Sequence, residues 1–455
     1  MDLYKKKVLV LGFGLTGEAV CRFLLGQEAE VKVSEKLHPE KLGKDLTIWK
    51  ERGVIFETGE HRLSSFLEAD LIVPSPGVPF VPELHKARAG GIPILSEIEL
   101  AYRFLKGRII GVTGSNGKST VVTLIHKIFN EGGVHAYLAG NIGKPLIGFV
   151  QQSKEEDIYI TELSSFQLAF TQRFRPHVSI LLNITPDHLD WHSDYEDYLA
   201  SKQKILANQG SQEMAVLNRD DPAVWKLRNT GPFQTYGFST QVQLDRGCFL
   251  RDEKIIFKDD QEKTVMSVQD IPLLGRHNQE NVMAAVLAAS LYSLPPAGIK
   301  ASVQDFQGLE HRLEKVLTLK GIEIYNDSKA TNVDATLKSI QSFEQPLILI
   351  LGGKDKGGDF QLLRKAVKSR VKHLVLVGAA REKIREVLQN TVPLELADSF
   401  EEAVHKAVAA AGAGEVVLLA PACTSFDMFT SFGHRGRRFK EIVISLAEAE
   451  KRQAG

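Results

Sequence analysis

The chain has 455 residues, 43 % of them hydrophobic and 25 % charged, with Lys plus Arg and Asp plus Glu balanced at 56 each. This is globular composition with room for about three domains at roughly 150 residues each, and it excludes a disordered or fibrous chain. Balanced charge gives no bulk electrostatic case for nucleic acid or an anionic membrane, so any anion must be held by a local site. The three scattered cysteines, Cys21, Cys248 and Cys423, form neither a disulfide framework nor a metal pair, which suits a reducing compartment. The opening MDLYKKKVLVLGFG sets lysines before an apolar run, but Gly12, Gly14, Thr16 and Glu18 interrupt it as no signal peptide would be. Other apolar runs fall far short of the ~20 residues of a membrane span, so a cytoplasmic protein without membrane insertion is expected.

In chain order, three apolar strands each lead into glycine and then a helical pattern: KVLVLGFG (7–14), RIIGVTGSNG (108–117) and PLILILGGKDKGG (346–358). DIYITEL (157–163), HVSILLNI (177–184), HLVLVG (373–378) and EVVLLAP (415–421) read as further strands. Their runs are continuous rather than alternating, as in parallel strands covered on both faces, and the helical patterns between them predict doubly wound α/β units. SEIELAYRFLKGR (96–108) reads as a short helix, SLPPAGIKASVQDFQGLEHR (293–312) as a turn-rich junction, and 230–275 as a β-rich excursion of unassigned role. Domains are expected at 1–97, 98–307 and 308–455.

Two glycine loops carry chemistry. Gly12-Phe13-Gly14-Leu15-Thr16-Gly17 is GxGxxG after a strand, with Glu35 eighteen residues beyond. Such a loop brings backbone N–H groups to a diphosphate, and the acid can accept from a ribose hydroxyl. A tight turn without ligand stays open, as does a nicotinamide cofactor in an oxidoreductase. The second loop, Thr113-Gly114-Ser115-Asn116-Gly117-Lys118-Ser119-Thr120, has the strand–loop–helix setting of a P-loop, although Val112 stands where the strict pattern has glycine. Its N–H groups can cradle phosphates, Lys118 can reach the β- and γ-phosphates, and Ser119 can ligate Mg²⁺. ATP is the expected ligand, and a triphosphate-binding lysine counts against hydride transfer.

TGSNGKST resembles the loop of the Mur ligases and their folylpolyglutamate synthetase relatives. GNIG (140–143), ELSSFQL (162–168), NITPDHLDWH (183–192) and GRHNQENVMAA (275–285) strengthen the likeness. NDSKATNVDAT (326–336), LGGKDKGGDF (351–360) and PACTSFDMFTSFGHRG (421–436) resemble the D-glutamate-adding branch of that family. The resemblance implies an N-terminal Rossmann-like domain, a central P-loop ATPase-like domain and a C-terminal Rossmann-like α/β domain. It also implies an ATP-dependent amide ligase that acts on UDP-N-acetylmuramoyl-L-alanine and D-glutamate. A monomer with ATP as co-substrate and two Mg²⁺ ions is expected.

The same resemblance assigns residues. Glu162 ends a strand at the sheet edge, and His188 has the acidic neighbours Asp187 and Asp190; both are implied to help hold the second Mg²⁺. Lys202 and Lys204 cannot be separated by their helical pattern, and the likeness selects Lys202, as a carbamylated lysine supporting that metal. Asn278 and Asn281 are implied at the adenine, where composition alone suggests only a helix N-cap with His277. Arg312, Asp327 and Lys329 would meet the nucleotide, while Thr331, Lys356, Ser425 and Phe432 would form the amino-acid pocket. The first glycine loop is redirected to a uridine nucleotide, with Gly14, Leu15 and Thr16 at the diphosphate and Glu35 near uracil or ribose. Ser75, Gly77, Asn141 and His188 would line the rest of that substrate.

Overall fold

Continuous apolar runs do become parallel strands. The computed structural model describes residues 1–78, 81–188 and 191–454. Strands β1 (Lys7–Leu11), β2 (Glu30–Glu35), β3 (Ile55–Thr58) and β4 (Leu71–Pro74) form an all-parallel sheet in the order β3-β2-β1-β4. The order reverses between β1 and β4, which sets the first glycine loop beside the turn after β4. Ser75 Oγ donates to Gly12 O at 3.3 Å there. Open α/β sheets bind ligands at such a switch point.

The second sheet has nine strands: β5 (Arg108–Thr113), β6 (Ala136–Gly140), β7 (Ile158–Glu162), β8 (Val178–Leu181), β9 (Met214–Asn218), β10 (Gln234–Ser239), β11 (Gly247–Arg251), β12 (Lys254–Lys258) and β13 (Glu262–Ser267). Their order is β13-β12-β11-β10-β9-β8-β5-β7-β6, parallel except for the β11–β12 and β12–β13 pairs. The 230–275 excursion is therefore an extension of this sheet by β10 to β13. Its hairpin turns at Asp252 and Glu253, whose φ values of 50° and 59° match the mirror-image turn that suits twisted strands.

The third sheet holds β14 (Glu314–Leu319), β15 (Ile322–Asn326), β16 (Leu347–Gly352), β17 (Val371–Val377), β18 (Leu394–Leu396) and β19 (Val416–Leu419). The order is β14-β15-β19-β16-β17-β18, with only β14 antiparallel. Along β16, Leu347, Leu349 and Leu351 enter one apolar cluster while Ile348 and Ile350 enter the other. Burial on both faces is why LILIL shows no polar alternation.

The chain divides into two compact units, one of Met1–Ile184, Trp191–Asp270 and Asn281–Val303, the other of Thr185–Asp190, Ile271–Glu280 and Gln304–Gly455. The first contains two sheets over a shared core running from Val10 and Phe23 to Tyr159 and Leu181. The boundary expected at 97 falls in helix Glu97–Tyr102 inside this unit. Two acids fasten that helix, a feature its short amphipathic pattern concealed. Glu99 is fully buried and accepts from Arg103 Nε at 2.7 Å and from the backbone N–H groups of Gln172, Arg173 and Phe174. Glu97 Oε1 accepts from Ile147 N at 2.6 Å, whereas buried Oε2 has no partner among the described residues.

Burial pushes the Glu97 carboxyl up from 4.5 to about 7. The folded chain then keeps a proton that the unfolded chain releases across that window, so stability falls as pH rises from 4.5 to 7. Glu97→Gln removes this dependence. Relative to the parent, the variant should gain about 3 kcal/mol of unfolding free energy between pH 4.5 and 7.5, read by urea denaturation. An equal difference at both pH values would contradict this.

Candidate functional site

In the first unit the second glycine loop leaves β5 between β7 and β8 and opens helix Lys118–Glu131. Val112 is fully buried as part of β5, so the departure from the strict P-loop lies in the strand and not in the loop. Neighbouring side chains hold the loop's shape. Asn183 Oδ1 accepts from Asn116 N at 2.8 Å and its Nδ2 donates to Asn116 O at 3.1 Å. Ser115 Oγ and Tyr198 Oη lie 2.8 Å apart, and Thr113 Oγ1 donates to Leu163 O at 2.8 Å. Gly117 has φ 91°, and a Cβ there would collide with Asn281 Oδ1. Lys118 Nζ donates to Gly114 O at 2.7 Å and Ser115 O at 2.9 Å, which places an ammonium across the loop.

Three further residues close round this loop. Ser119 is buried in the first helical turn. Glu162, the last residue of β7, is 2 % exposed. Its Oε1 accepts from Asn141 Nδ2 at 2.8 Å, and its buried Oε2 finds no donor among the described residues. Lys202, also 2 % exposed, donates to Gly114 O at 2.9 Å and lies 4.7 Å from the centre of the Tyr198 ring. Lys204 instead donates to Ala169 O on the neighbouring helix, so geometry separates two lysines that the helical pattern could not.

Helix Arg276–Leu291 starts before the residues expected to cap it. His277 and Asn278 lie in its first turn, where Asn278 Nδ2 donates to Leu274 O at 2.7 Å, and Asn281 is buried against Gly117. The N-cap reading is therefore corrected: the helix has already begun.

At the first glycine loop, Gly14 caps helix Leu15–Gly26 and Leu15 is 76 % exposed. Glu35 Oε2 accepts from Phe13 N at 2.9 Å and Oε1 from Leu37 N at 3.0 Å, so this acid braces the loop. Lys44, which carried no sequence signal, donates to Phe13 O at 3.1 Å and Glu18 Oε2 at 2.9 Å. Gly77 lies exposed in the turn after β4.

The second unit has a cavity of about 460 Å³ lined by residues including Asp187, His188, Thr331, Asn332, Asp355 and Lys356. Lys356 Nζ stands 3.1 Å from Asp187 Oδ1, and Asn332 Nδ2 donates to Asp187 Oδ2 at 3.0 Å. Burial alone would raise the Asp187 pKa, but His188, Lys356 and Asn332 outweigh it and hold the carboxyl at about 2. His188 has φ 56°, with Nε2 3.7 Å from Asp187 Oδ2. Asp190 lies outside the described residues. Of the four residues expected at the amino acid, Thr331 and Lys356 line this cavity; Ser425 and Phe432 are not among its lining. Ser425 is buried in its own loop, and Phe432 opens helix Phe432–Ala454 with Lys329 Nζ 3.8 Å above its ring centre. Burial raises the Asp327 carboxyl to about 6, against a hydrogen bond from Ser339 and the charge of Arg312.

Family models match three segments of the chain. Residues 6–96 match the Mur ligase MurD-like N-terminal domain, 112–289 the Mur ligase middle domain, and 311–423 the Mur ligase glutamate ligase domain. The UDP-N-acetylmuramoylalanine–D-glutamate ligase of Koribacter versatilis is 44 % identical over 99 % of this chain and 100 % of its own length. The chain belongs to the Mur ligase family. Ligases of the same name from Acidobacterium capsulatum, 44 % identical over 98 % of this chain and 97 % of theirs, and Geotalea daltonii, 41 % identical over 99 % and 100 %, agree. Solved Mur-family structures share the fold at lower identity. A pseudomurein peptide ligase type C from Methanothermus fervidus has TM-score 0.62 at 19 % identity, covering 97 % of this chain and 100 % of its own. UDP-N-acetylmuramate-alanine ligase from Thermotoga maritima has TM-score 0.60 at 17 %, covering 97 % and 99 %.

Besides Lys44, sequence reasoning missed Asn183, Tyr198 and His192 in this Mur-family chain. His192 is 2 % exposed, with Nδ1 2.9 Å from Asp197 and Nε2 2.9 Å from Ser165. The signal was available for Asn183, which directly follows the strand run HVSILL at the edge where the loop sits.

Proposed function

We propose that the chain is an ATP-dependent amide ligase of peptidoglycan precursor synthesis, acting in the cytoplasm to add D-glutamate to UDP-N-acetylmuramoyl-L-alanine. The observation that carries this reading is the Lys118 ammonium laid across a braced glycine loop, in a chain whose full-length relatives bear that name. No helix among the described residues is long and apolar enough to cross a membrane.

The substrate carboxylate attacks the γ-phosphate of ATP and ADP leaves; the acyl phosphate so formed is then attacked by the free amine of D-glutamate, with loss of phosphate. The difficulty is electrostatic: a carboxylate must approach a polyanion. Lys118 lies where it can neutralise the phosphates, and the N–H groups that open helix Lys118–Glu131 would cradle them, those of Ser115 and Asn116 being bonded to Asn183. Asn281 and Asn278 are assigned to the adenine side, with Arg312, Asp327 and Lys329 completing the nucleotide contacts. Gly14, Leu15, Thr16, Glu35, Ser75, Gly77 and Asn141 are assigned to the uridine substrate. Thr331, Lys356, Ser425 and Phe432 are assigned to D-glutamate.

The residues at the loop fit a divalent cation. Glu162 offers a buried carboxylate oxygen that has no donor among the described residues, and the Ser119 hydroxyl lies in the adjacent helical turn. Ser119 would hold one Mg²⁺, with Glu162, His188 and carbamylated Lys202 holding a second. When bound, Mg²⁺ supplies charge neutralisation at the phosphoryl oxygens. Lys202 is suited to carbamylation because its amine is buried and donates to Gly114 O at 2.9 Å beside the loop.

Phosphate release with ATP and Mg²⁺ tests the reading when each co-substrate is omitted in turn. Sustained release should require both UDP-N-acetylmuramoyl-L-alanine and D-glutamate. Full release without D-glutamate, or with another amino acid in its place, would contradict the assignment.

A further inference from the structure

Within the second unit, the cation assigned to the amino acid is already engaged. Lys356 faces Asp187 Oδ1 at 3.1 Å, and Asn332 donates to Asp187 Oδ2 at 3.0 Å. The Asp187 carboxylate thus takes the two donors, an ammonium and an amide, that a ligand carboxylate in this cavity would want. Its side chain is 9 % exposed and that of Lys356 is 19 % exposed, so water screens the pair weakly. A third bond, from His188 N to Asp187 Oδ1 at 2.9 Å, keeps Asp187 on its own loop whether or not the other two persist.

An incoming dicarboxylate that merely joined this pair would place two carboxylates on one ammonium in a largely desolvated cavity, an unfavourable arrangement. One that only expelled Asp187 would leave a buried carboxylate without its counter-charge, at a cost of several kcal/mol. An amino acid avoids both outcomes, since it brings a cation with its anion.

We propose that Asp187 is an exchange partner for the amino acid: it holds Lys356 in the free enzyme, gives up that ammonium to a carboxylate of D-glutamate, and receives the ammonium of D-glutamate in return. One ion pair becomes two, and the second carboxylate of D-glutamate falls to the other residues assigned to it. Asp187 is then a positioning residue that selects amino acids over simple dicarboxylates. The distance between its carboxylate and Lys356 fixes how far apart the ligand's amine and carboxylate must be. This inference rests on the ligase reading above and names the amine subsite of that reaction.

The test compares D-glutamate with glutarate, the same chain without the amine, in the parent and in Asp187→Asn. Asparagine keeps an acceptor for the His188 N–H but loses the one that faces Asn332 Nδ2, and a thermal melt matching the parent confirms the fold. The KM for D-glutamate should rise about tenfold or more, with KM for ATP and for the uridine substrate unchanged. The inhibition constant of glutarate against D-glutamate should stay level or fall, because its competitor for Lys356 has lost its charge. The exchange is overturned if the D-glutamate KM does not move, or if glutarate weakens by as large a factor as D-glutamate. Absence of D-glutamate-dependent phosphate release from the parent enzyme would instead remove the ligase reading itself.

Discussion

Lys118→Ala should lower kcat/KM for ATP by about 10³-fold, with the fold intact. The ammonium spans the carbonyls of Gly114 and Ser115, so it is held over the loop before any phosphate arrives. Positioned charges of this kind act where charge develops in a poorly hydrated site, and removing one typically costs about 10²–10³-fold. Here the loss should reach the upper end, because the reacting partner is itself an anion. Lys118→Met keeps the aliphatic stem and should fail equally, which separates lost charge from lost packing. An alanine variant within tenfold of the parent would show that the loop does not serve phosphoryl transfer.

Lys202 gives the second large effect, and its chemistry yields an unusual pattern. Lys202→Ala should cost about 10²-fold or more, as expected for loss of an electrostatic support. Lys202→Arg should be no better despite keeping the positive charge, because a guanidinium cannot become a carbamate. A short carboxylic acid added to the alanine variant should restore part of the rate by standing in for the missing acid, and should do nothing for the arginine variant. Lys204→Ala, whose amine donates to Ala169 O on a neighbouring helix, should stay near the parent rate. Rescue by arginine, or full activity of the alanine variant, would refute the assignment of Lys202.

Both lysines stood out in the sequence for different reasons. The glycine loop announced Lys118 because strand, glycine and helix follow one another locally. Lys202 was visible only by resemblance, since its placement depends on Gly114, 88 residues away in sequence, as well as on Tyr198 one turn earlier in its own helix. The parallel strands were legible from their unbroken apolar runs, as Leu347 to Leu351 show with alternate residues entering separate cores. Less legible was the 230–275 excursion, whose strands pair partly with each other and partly with β9, a distinction set by register and not by composition. The short helical pattern of 96–108 gave no sign that Glu97 and Glu99 are buried and accept from backbone N–H groups far along the chain. Asp187 was noticed only as a neighbour of His188; its pairing with Lys356 spans 169 residues of sequence.

Transfer of an oxygen atom tests the central claim most directly. UDP-N-acetylmuramoyl-L-alanine carrying ¹⁸O in its terminal carboxylate is turned over with ATP and D-glutamate, and the released phosphate is analysed by mass spectrometry. Activation by phosphorylation of that carboxylate requires one labelled oxygen in each phosphate. Unlabelled phosphate accompanying amide formation would mean that the carboxylate never received the γ-phosphoryl group.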